Sequence, residues 1–305
     1  MRLLVHGQQA FGKAVLESLL NRGENIVAVY GPEDAKSGVD PLIAEAHERN
    51  LPVYQPKSFR NNNSVAEECK KLKADLCVMA FVTKFVPSSF LNIPTHGTIQ
   101  YHPSLLPLHR GPSSINWPII KGSTETGLSI FWPDDGLDTG PILLQKKVQI
   151  EPEDTLGSIY FEKLFPMGVD AILEAVDLVR AGNAPKVQQD HSSMTYESWC
   201  RSKDSEIFWS RSIEDVHNLI RGCNPSPGAW STINGQVIQI FDCRRDDLIK
   251  GKPGVVTAIR EGCFGVACAS GGIWVKRLRL QGRGKILSSE FVSTQNLSVG
   301  DVFGS

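Results

Sequence analysis

Two short stretches hold the side chains of this sequence that could move protons. Gln100-Tyr101-His102-Pro103-Ser104-Leu105-Leu106-Pro107 sets an amide and an imidazole two positions apart. On a strand those two share a face. The run leads in from Gly97-Thr98-Ile99 and stops at a proline that cannot donate to a sheet ladder. Further along, Asp134-Asp135-Gly136-Leu137-Asp138-Thr139-Gly140 supplies carboxylates on a glycine-punctuated loop. An imidazole beside a carboxylate is the minimum equipment for general acid–base work at a carbonyl. Plainer readings stand next to this one: a strand-end histidine that only bonds its surroundings, and an Asx-closed turn.

For His102 to meet a ligand it should sit at the C-terminal rim of an open α/β sheet. The order of elements predicts such a sheet. Strands are expected at Arg2–Val5, Ile26–Tyr30, Leu76–Phe81, around His102, and at Leu128–Trp132. Helices are expected at Ala14–Leu20, from Asp40-Pro41 to about Asn50, at Ser64–Leu72 and at Ser113–Ile120. Leu76–Phe81 is almost wholly apolar, as befits a central parallel strand covered on both faces. A helix from Leu156 to Ala181 should kink or break at Pro166. Residues 184–206 are polar and read as a linker. A helix from Ser212 to Arg221 follows, with a Ser-x-x-Asp start. Short strands then come at Trp230–Ile233, Val237–Phe241, Val255–Ile259, Phe264–Cys268 and Ile273–Leu280, the first two joined by Asn234-Gly235. The expected architecture is a doubly wound, mostly parallel, Rossmann-like α/β domain over residues 1–200 and a small C-terminal β-barrel, OB-like, over 201–305.

Bulk properties narrow the function. The 305 residues carry 32 Lys and Arg against 33 Asp and Glu, so no global field draws nucleic acid or an anionic membrane. Seven scattered cysteines without a Cys-x-x-Cys pair predict neither a disulfide framework nor a zinc site, and a reducing, cytoplasmic setting. His96 and His109 lack the spacing and partners to make a metal site with His102, so no metal is expected. Gly7-Gln8-Gln9-Ala10-Phe11-Gly12-Lys13-Ala14 nearly spells a P-loop, but Ala14 stands where a hydroxyl must hold Mg²⁺, and Gln9 breaks the dinucleotide fingerprint.

Taken together, His102-Pro103-Ser104-Leu105-Leu106-Pro107, Ser114-Ile115-Asn116-Trp117, Ser129-Ile130-Phe131-Trp132 and Asp134 to Gly140 give the chain a likeness. It resembles the 10-formyltetrahydrofolate-dependent formyltransferase family over its whole length. Within that family it is most similar to the N-terminal hydrolase domain of the 10-formyltetrahydrofolate dehydrogenases. Asn224-Pro225-Ser226-Pro227-Gly228-Ala229-Trp230 looks like the start of the family's C-terminal domain. The resemblance implies that His102 and Asp138 are catalytic and that 10-formyltetrahydrofolate is the formyl donor, with no metal. The transferases place Asn where this chain has Gln100, so Gln100 is a third catalytic candidate that departs from the pattern. The resemblance also implies folate-binding walls at Lys84, Phe85 and Val86, at Ser104, Leu105, Leu106 and Pro107, and at Asp138.

The implied reaction is cleavage of the formyl group with water as acceptor, releasing formate and tetrahydrofolate. The alternative is transfer to an amine of a small molecule or carrier, such as an amino sugar. Methionyl-tRNA is disfavoured, because Gly31 to Asp40 is net acidic and would repel a phosphate backbone. A folate-binding regulatory protein is the non-enzymatic alternative. No membrane partner is expected; covalent continuation into a larger chain and a homo-oligomer both stay open. Arg110-Gly111 either shapes the loop after the strand or meets a substrate anion.

Overall fold

The computed structural model describes residues 1–36, 38–60, 62–260 and 262–304. They gather into two compact units. The first comprises Met1–Pro112, Gly127–Val148 and Lys163–Tyr196; the second comprises Ser113–Thr126, Gln149–Glu162 and Glu197–Ser305.

The first unit is built on β1 (Arg2–Gly7), β2 (Asn25–Tyr30), β3 (Val53–Tyr54), β4 (Leu76–Ala80), β5 (Thr98–His102), β6 (Glu125–Phe131) and β7 (Ile142–Gln149). They lie in the order β3-β2-β1-β4-β5-β6-β7. The pairs β1–β2, β1–β4 and β4–β5 are parallel, as expected, and the two-residue β3, which was not expected, is parallel to β2. Leu3 to Val5 and Leu76 to Ala80 are buried, which follows from helices covering both faces. The helix Pro41–Glu48 begins as the sequence predicts: Asp40 caps it, accepting from the Leu42 N–H at 2.9 Å, and proline opens the first turn. The same carboxylate accepts the Gln9 N–H, tying the β1 turn to this helix.

Some local expectations are corrected. β6 runs antiparallel to β5, pairing Gln100 with Phe131 and His102 with Ser129. The edge strand β7 was not expected, because lysines and glutamines on its open face dilute the apolar signal. The long helix breaks at Pro166, as expected: Leu156–Ser158 is α-helical, Ile159–Leu164 is π-helical, and Phe165–Arg180 is α-helical again with Pro166 in its first turn. A proline there lacks the N–H that the preceding turn would need, and the wider π turn accommodates it. The supposed linker is not slack, since Gln189, Glu197, Cys200 and Ser205 are buried within it.

The second unit holds β8 (Ala229–Ile233), β9 (Gln236–Asp246), β10 (Val256–Arg260), β11 (Cys263–Ala267), β12 (Gly272–Leu280) and β13 (Lys285–Leu287). Their order is β10-β11-β12-β9-β8, with β13 on β12, and every pair is antiparallel. Asn234 (φ 50°) and Gly235 (φ 72°) make the two-residue turn that the dipeptide predicts. Ile238, Ile240, Phe264, Val266, Val275 and Leu278 form the centre of its core. Helix Asn116–Ile120 joins this unit through Asn116, whose amide donates to the carbonyls of Gly222 and Ser226. Among the described residues no helix is long and apolar enough to cross a membrane, and no group of three metal-ligating side chains stands together.

Candidate active site

His102 ends β5 with its side chain buried (6% exposed). Its Nε2 lies 2.9 Å from the His109 carbonyl oxygen. A carbonyl only accepts, so Nε2 carries hydrogen and Nδ1 is the nitrogen left for chemistry. Nδ1 lies 3.7 Å from Asp138 Oδ2. That is too long for a direct hydrogen bond and short enough for both groups to act on one small molecule. The loop after β5 holds the geometry. His109 sits at φ 55°, its N–H donates to the Thr195 hydroxyl, and the Arg110 N–H donates to the Thr195 carbonyl. Ser104 donates to the Leu108 carbonyl at 2.6 Å.

Asp138 is buried (8% exposed) and takes a left-handed backbone, φ 55°, which Asp tolerates better than most residues. The Gly111 N–H donates to its Oδ2 at 2.9 Å. Two partners fix its loop. Asp134 Oδ1 accepts from the Gly136 N–H and the Thr139 hydroxyl, and Gln189 Nε2 donates to the carbonyls of Asp138 (2.9 Å) and Gly140 (2.7 Å). Gln189 Oε1 in turn accepts from Arg110 Nη2 at 2.6 Å, and Arg110 also meets His191 Nδ1 at 3.0 Å. Arg110 therefore shapes the loop, one of its two readings. Gln189 was passed over as linker; nothing in the sequence of a polar stretch marks which glutamine turns inward. Gly140 is required where it is, because a Cβ there would lie 1.8 Å from the Trp132 carbonyl oxygen.

Gln100 shares β5 with His102, half-buried, and its amide makes no hydrogen bond among the described residues. Phe85 and Asp135 line a cavity of about 550 Å³ together with Phe59, Arg60, Pro87 and Phe90. The Arg60 guanidinium lies 4.2 Å over the Phe85 ring. Beneath Phe59 (ring centroids 4.9 Å apart), burial and then the Lys84 charge hold the His6 imidazole neutral, its pKa lowered to about 3. Lys84 and Val86 do not line this cavity: the Lys84 ammonium donates to the Pro56 carbonyl, and Val86 packs into the core. In the second expected wall, Ser104 and Leu106 are buried, Leu105 faces Gly127, and the Pro107 carbonyl accepts the Thr195 N–H. The polar atoms of that wall are engaged within the protein: the Ser104 and Leu106 carbonyls accept from Ser129 and Gln145.

Residues 1–176 match the formyl transferase family, and residues 200–296 match the formyl transferase C-terminal domain. The chain belongs to the formyl transferase family. It is 38% identical over 314 residues to the human mitochondrial 10-formyltetrahydrofolate dehydrogenase, covering 98% of this chain and 34% of that protein. It spans about a quarter to a third of the length of the dehydrogenases it matches. A methionyl-tRNA formyltransferase from Geotalea daltonii is 33% identical, covering 100% of this chain and 98% of the other. In fold it is similar to HypX from Aquifex aeolicus in complex with tetrahydrofolic acid, with a TM-score of 0.70, 19% identity, and coverage of 98% and 48%.

Proposed function

We propose that the protein cleaves the formyl group of 10-formyltetrahydrofolate with water as acceptor. The observation that carries this is the approach of His102 Nδ1 to Asp138 Oδ2, 3.7 Å apart and both buried. Water adds to the formyl carbon as the Asp138 carboxylate takes its proton. Charge develops on the formyl oxygen, and His102 Nδ1–H, as imidazolium, donates to it. Gln100 would add a second donor on the same strand face. The tetrahedral intermediate then breaks its C–N10 bond as N10 takes the proton that Asp138 drew from water, restoring the carboxylate; formic acid gives its proton to solvent, and formate and tetrahydrofolate leave. A donor aimed at such an oxyanion contributes roughly 3 kcal/mol.

The cavity beside Phe85 supports the folate assignment: aromatic walls suit a flat ring system, and the Arg60 cation suits a carboxylate tail. Asp138 does not line that cavity, whose wall takes Asp135 from the same loop; we assign Asp138 to folate contact as well as to the chemistry on the family likeness. All of these groups fall within residues 1–200, which we take as the catalytic domain, with 201–305 as an accessory one. The likeness to the dehydrogenases favours water. A second reading, transfer to an amine, draws on the transferase relative that matches over nearly its whole length. The acidic side chains Glu33 and Asp34 argue against tRNA as the amine carrier; Ser37 of that stretch lies outside the described residues. Offering 10-formyltetrahydrofolate alone, then with an amino sugar nucleotide, separates the readings. Formate without amine supports hydrolysis, and formylated amine supports transfer. Tight folate binding with no turnover that His102→Ala abolishes would leave only the regulatory reading.

A further inference from the structure

The second unit carries a cavity of about 280 Å³ that the chemistry above does not use. Its wall includes His217 and Arg221 from helix Ile213–Gly222, Arg277 from β12 and Lys285 from β13. Strand pairing sets Arg279 directly opposite Lys285, and Arg277 lies on the same face of β12 as Arg279. Like charges placed so are destabilising unless something compensates them. The Lys285 ammonium sits 3.8 Å from the centre of the Phe241 ring, and burial, Arg277 and Arg279 all lower its pKa. No carboxylate contributes to that shift.

The other side is pre-set. Arg221 is nine-tenths buried and pinned by Nε to Asn218 Oδ1 at 2.8 Å and by Nη1 to the Asp154 carbonyl at 3.1 Å, which leaves Nη2 for a ligand. His217 is 3% exposed and its ring has no hydrogen-bond partner among the described residues. Burial, Arg245 and Arg221 lower its pKa to about 4, so it is a neutral imidazole with one N–H to give. The cavity wall holds Arg221, Arg277 and Lys285 against the carboxylates of Glu153 and Asp242, while Arg245 and Arg279, the latter bonded to Gln239 Oε1, act on His217 and Lys285 from outside it. Asp154 already accepts from the Glu151 N–H and the Ser158 hydroxyl. The wall itself has a surplus of one positive charge, with Arg245 and Arg279 adding positive field from outside, and the volume is below that of a drug-sized site.

We propose that this cavity binds a phosphate group, either free phosphate or the terminal phosphate of a small phosphomonoester. Arg221, Arg277 and Lys285 would hold its oxygens, and His217 would donate to one of them. Phosphate supplies two negative charges and several acceptors in a compact tetrahedron, which matches forked and point-like donors converging from different elements.

Titration calorimetry of the full chain with inorganic phosphate at fixed ionic strength tests this. The expected result is saturable binding of one phosphate per chain, equal in the His102→Ala protein. Arg277→Gln combined with Lys285→Gln, both exterior enough to leave the fold intact, should weaken it at least tenfold. Lys276→Gln, which removes a neighbouring exposed charge, should leave it unchanged. Glycerol phosphate binding more tightly than phosphate assigns the site to an ester, and weaker binding assigns it to the free ion. No saturable binding, equal binding by the double variant, or equal binding of succinate would overturn the proposal.

Discussion

Replacing Gln189 by leucine removes three hydrogen bonds at once. Both of its amide hydrogens are committed, to the Asp138 and Gly140 carbonyls, and its oxygen takes the Arg110 guanidinium. The bond to a charged donor contributes roughly 1.5–3 kcal/mol and each neutral one roughly 0.5–1.5, so the loss spans about 2.5–6 kcal/mol. Partial relaxation of the loop toward water favours the lower half, about 3 kcal/mol. In a unit of this size that lowers Tm by roughly 6–12 °C. The loop released carries Asp138, and a misplacement of about 1 Å at a reacting group costs on the order of 100-fold in rate. Gln189→Glu separates the two effects. It keeps and strengthens the Arg110 partner but has no hydrogens for the carbonyls, so Tm should recover in part while kcat/KM for formate release stays low. Differential scanning calorimetry and a formate-coupled assay on the same preparations read both. A leucine variant melting within about 1 °C of the parent, with formate release within about twofold, would refute the clamp.

His102→Ala should lower kcat by about 10²–10³ with little change in KM, since the donor acts as charge develops. Asp138→Asn keeps a side chain suited to φ 55° and an acceptor for the Gly111 N–H, so it should fold normally and still lose most turnover in the same assay. Gly140→Ala forces a Cβ into the Trp132 carbonyl; a kcat/KM drop of more than about tenfold is expected from steady-state kinetics, with the rest of the fold retained by circular dichroism. Burial holds His6 at about 3 and His217 at about 4 in the native state, against 6.5 for an unburied histidine. Stabilisation from each is therefore complete above 6.5 and is lost as pH falls toward those values, at about 1.4 kcal/mol per pH unit and per histidine. Urea midpoints between pH 7 and 5 should fall in the parent and fall less steeply in His6→Leu; an unaltered slope would remove His6 from the account.

What the chain reveals in one dimension is whatever short-range chemistry decides. Asp40-Pro41, Ser212 and Asn234-Gly235 each start or turn an element through neighbours within three residues, and each does so in the structure. The apolar run of β4 likewise declares itself, because a central strand has no polar face to disguise it. The pairing of His102 with Asp138 was legible as composition of the site, one acid–base side chain at a strand end and the other in a glycine-punctuated loop. Their separation was not, since it depends on β6 turning back against β5. Gln189 stayed hidden for the same reason: its partner Arg110 is 79 residues away, and no local pattern distinguishes it from Gln188. The carbonyl that sets the His102 tautomer was also invisible, because every residue has one.

Asp-Gly and Asn-Gly pairs are where proteins age, as the glycine nitrogen attacks the preceding side chain to form a succinimide. Asp135-Gly136, in the loop before Asp138, is shielded from this. Ser88 holds the Asp135 carboxylate through its N–H and hydroxyl, both at 2.8 Å, while the Gly136 N–H is turned toward Asp134. Asn234-Gly235, exposed at the tip of its hairpin, has no such restraint among the described residues. Stored protein mapped by peptide mass spectrometry should therefore accumulate deamidation at the hairpin long before any isomerised aspartate in the Asp138 loop, so an ageing sample changes charge well before that loop is altered.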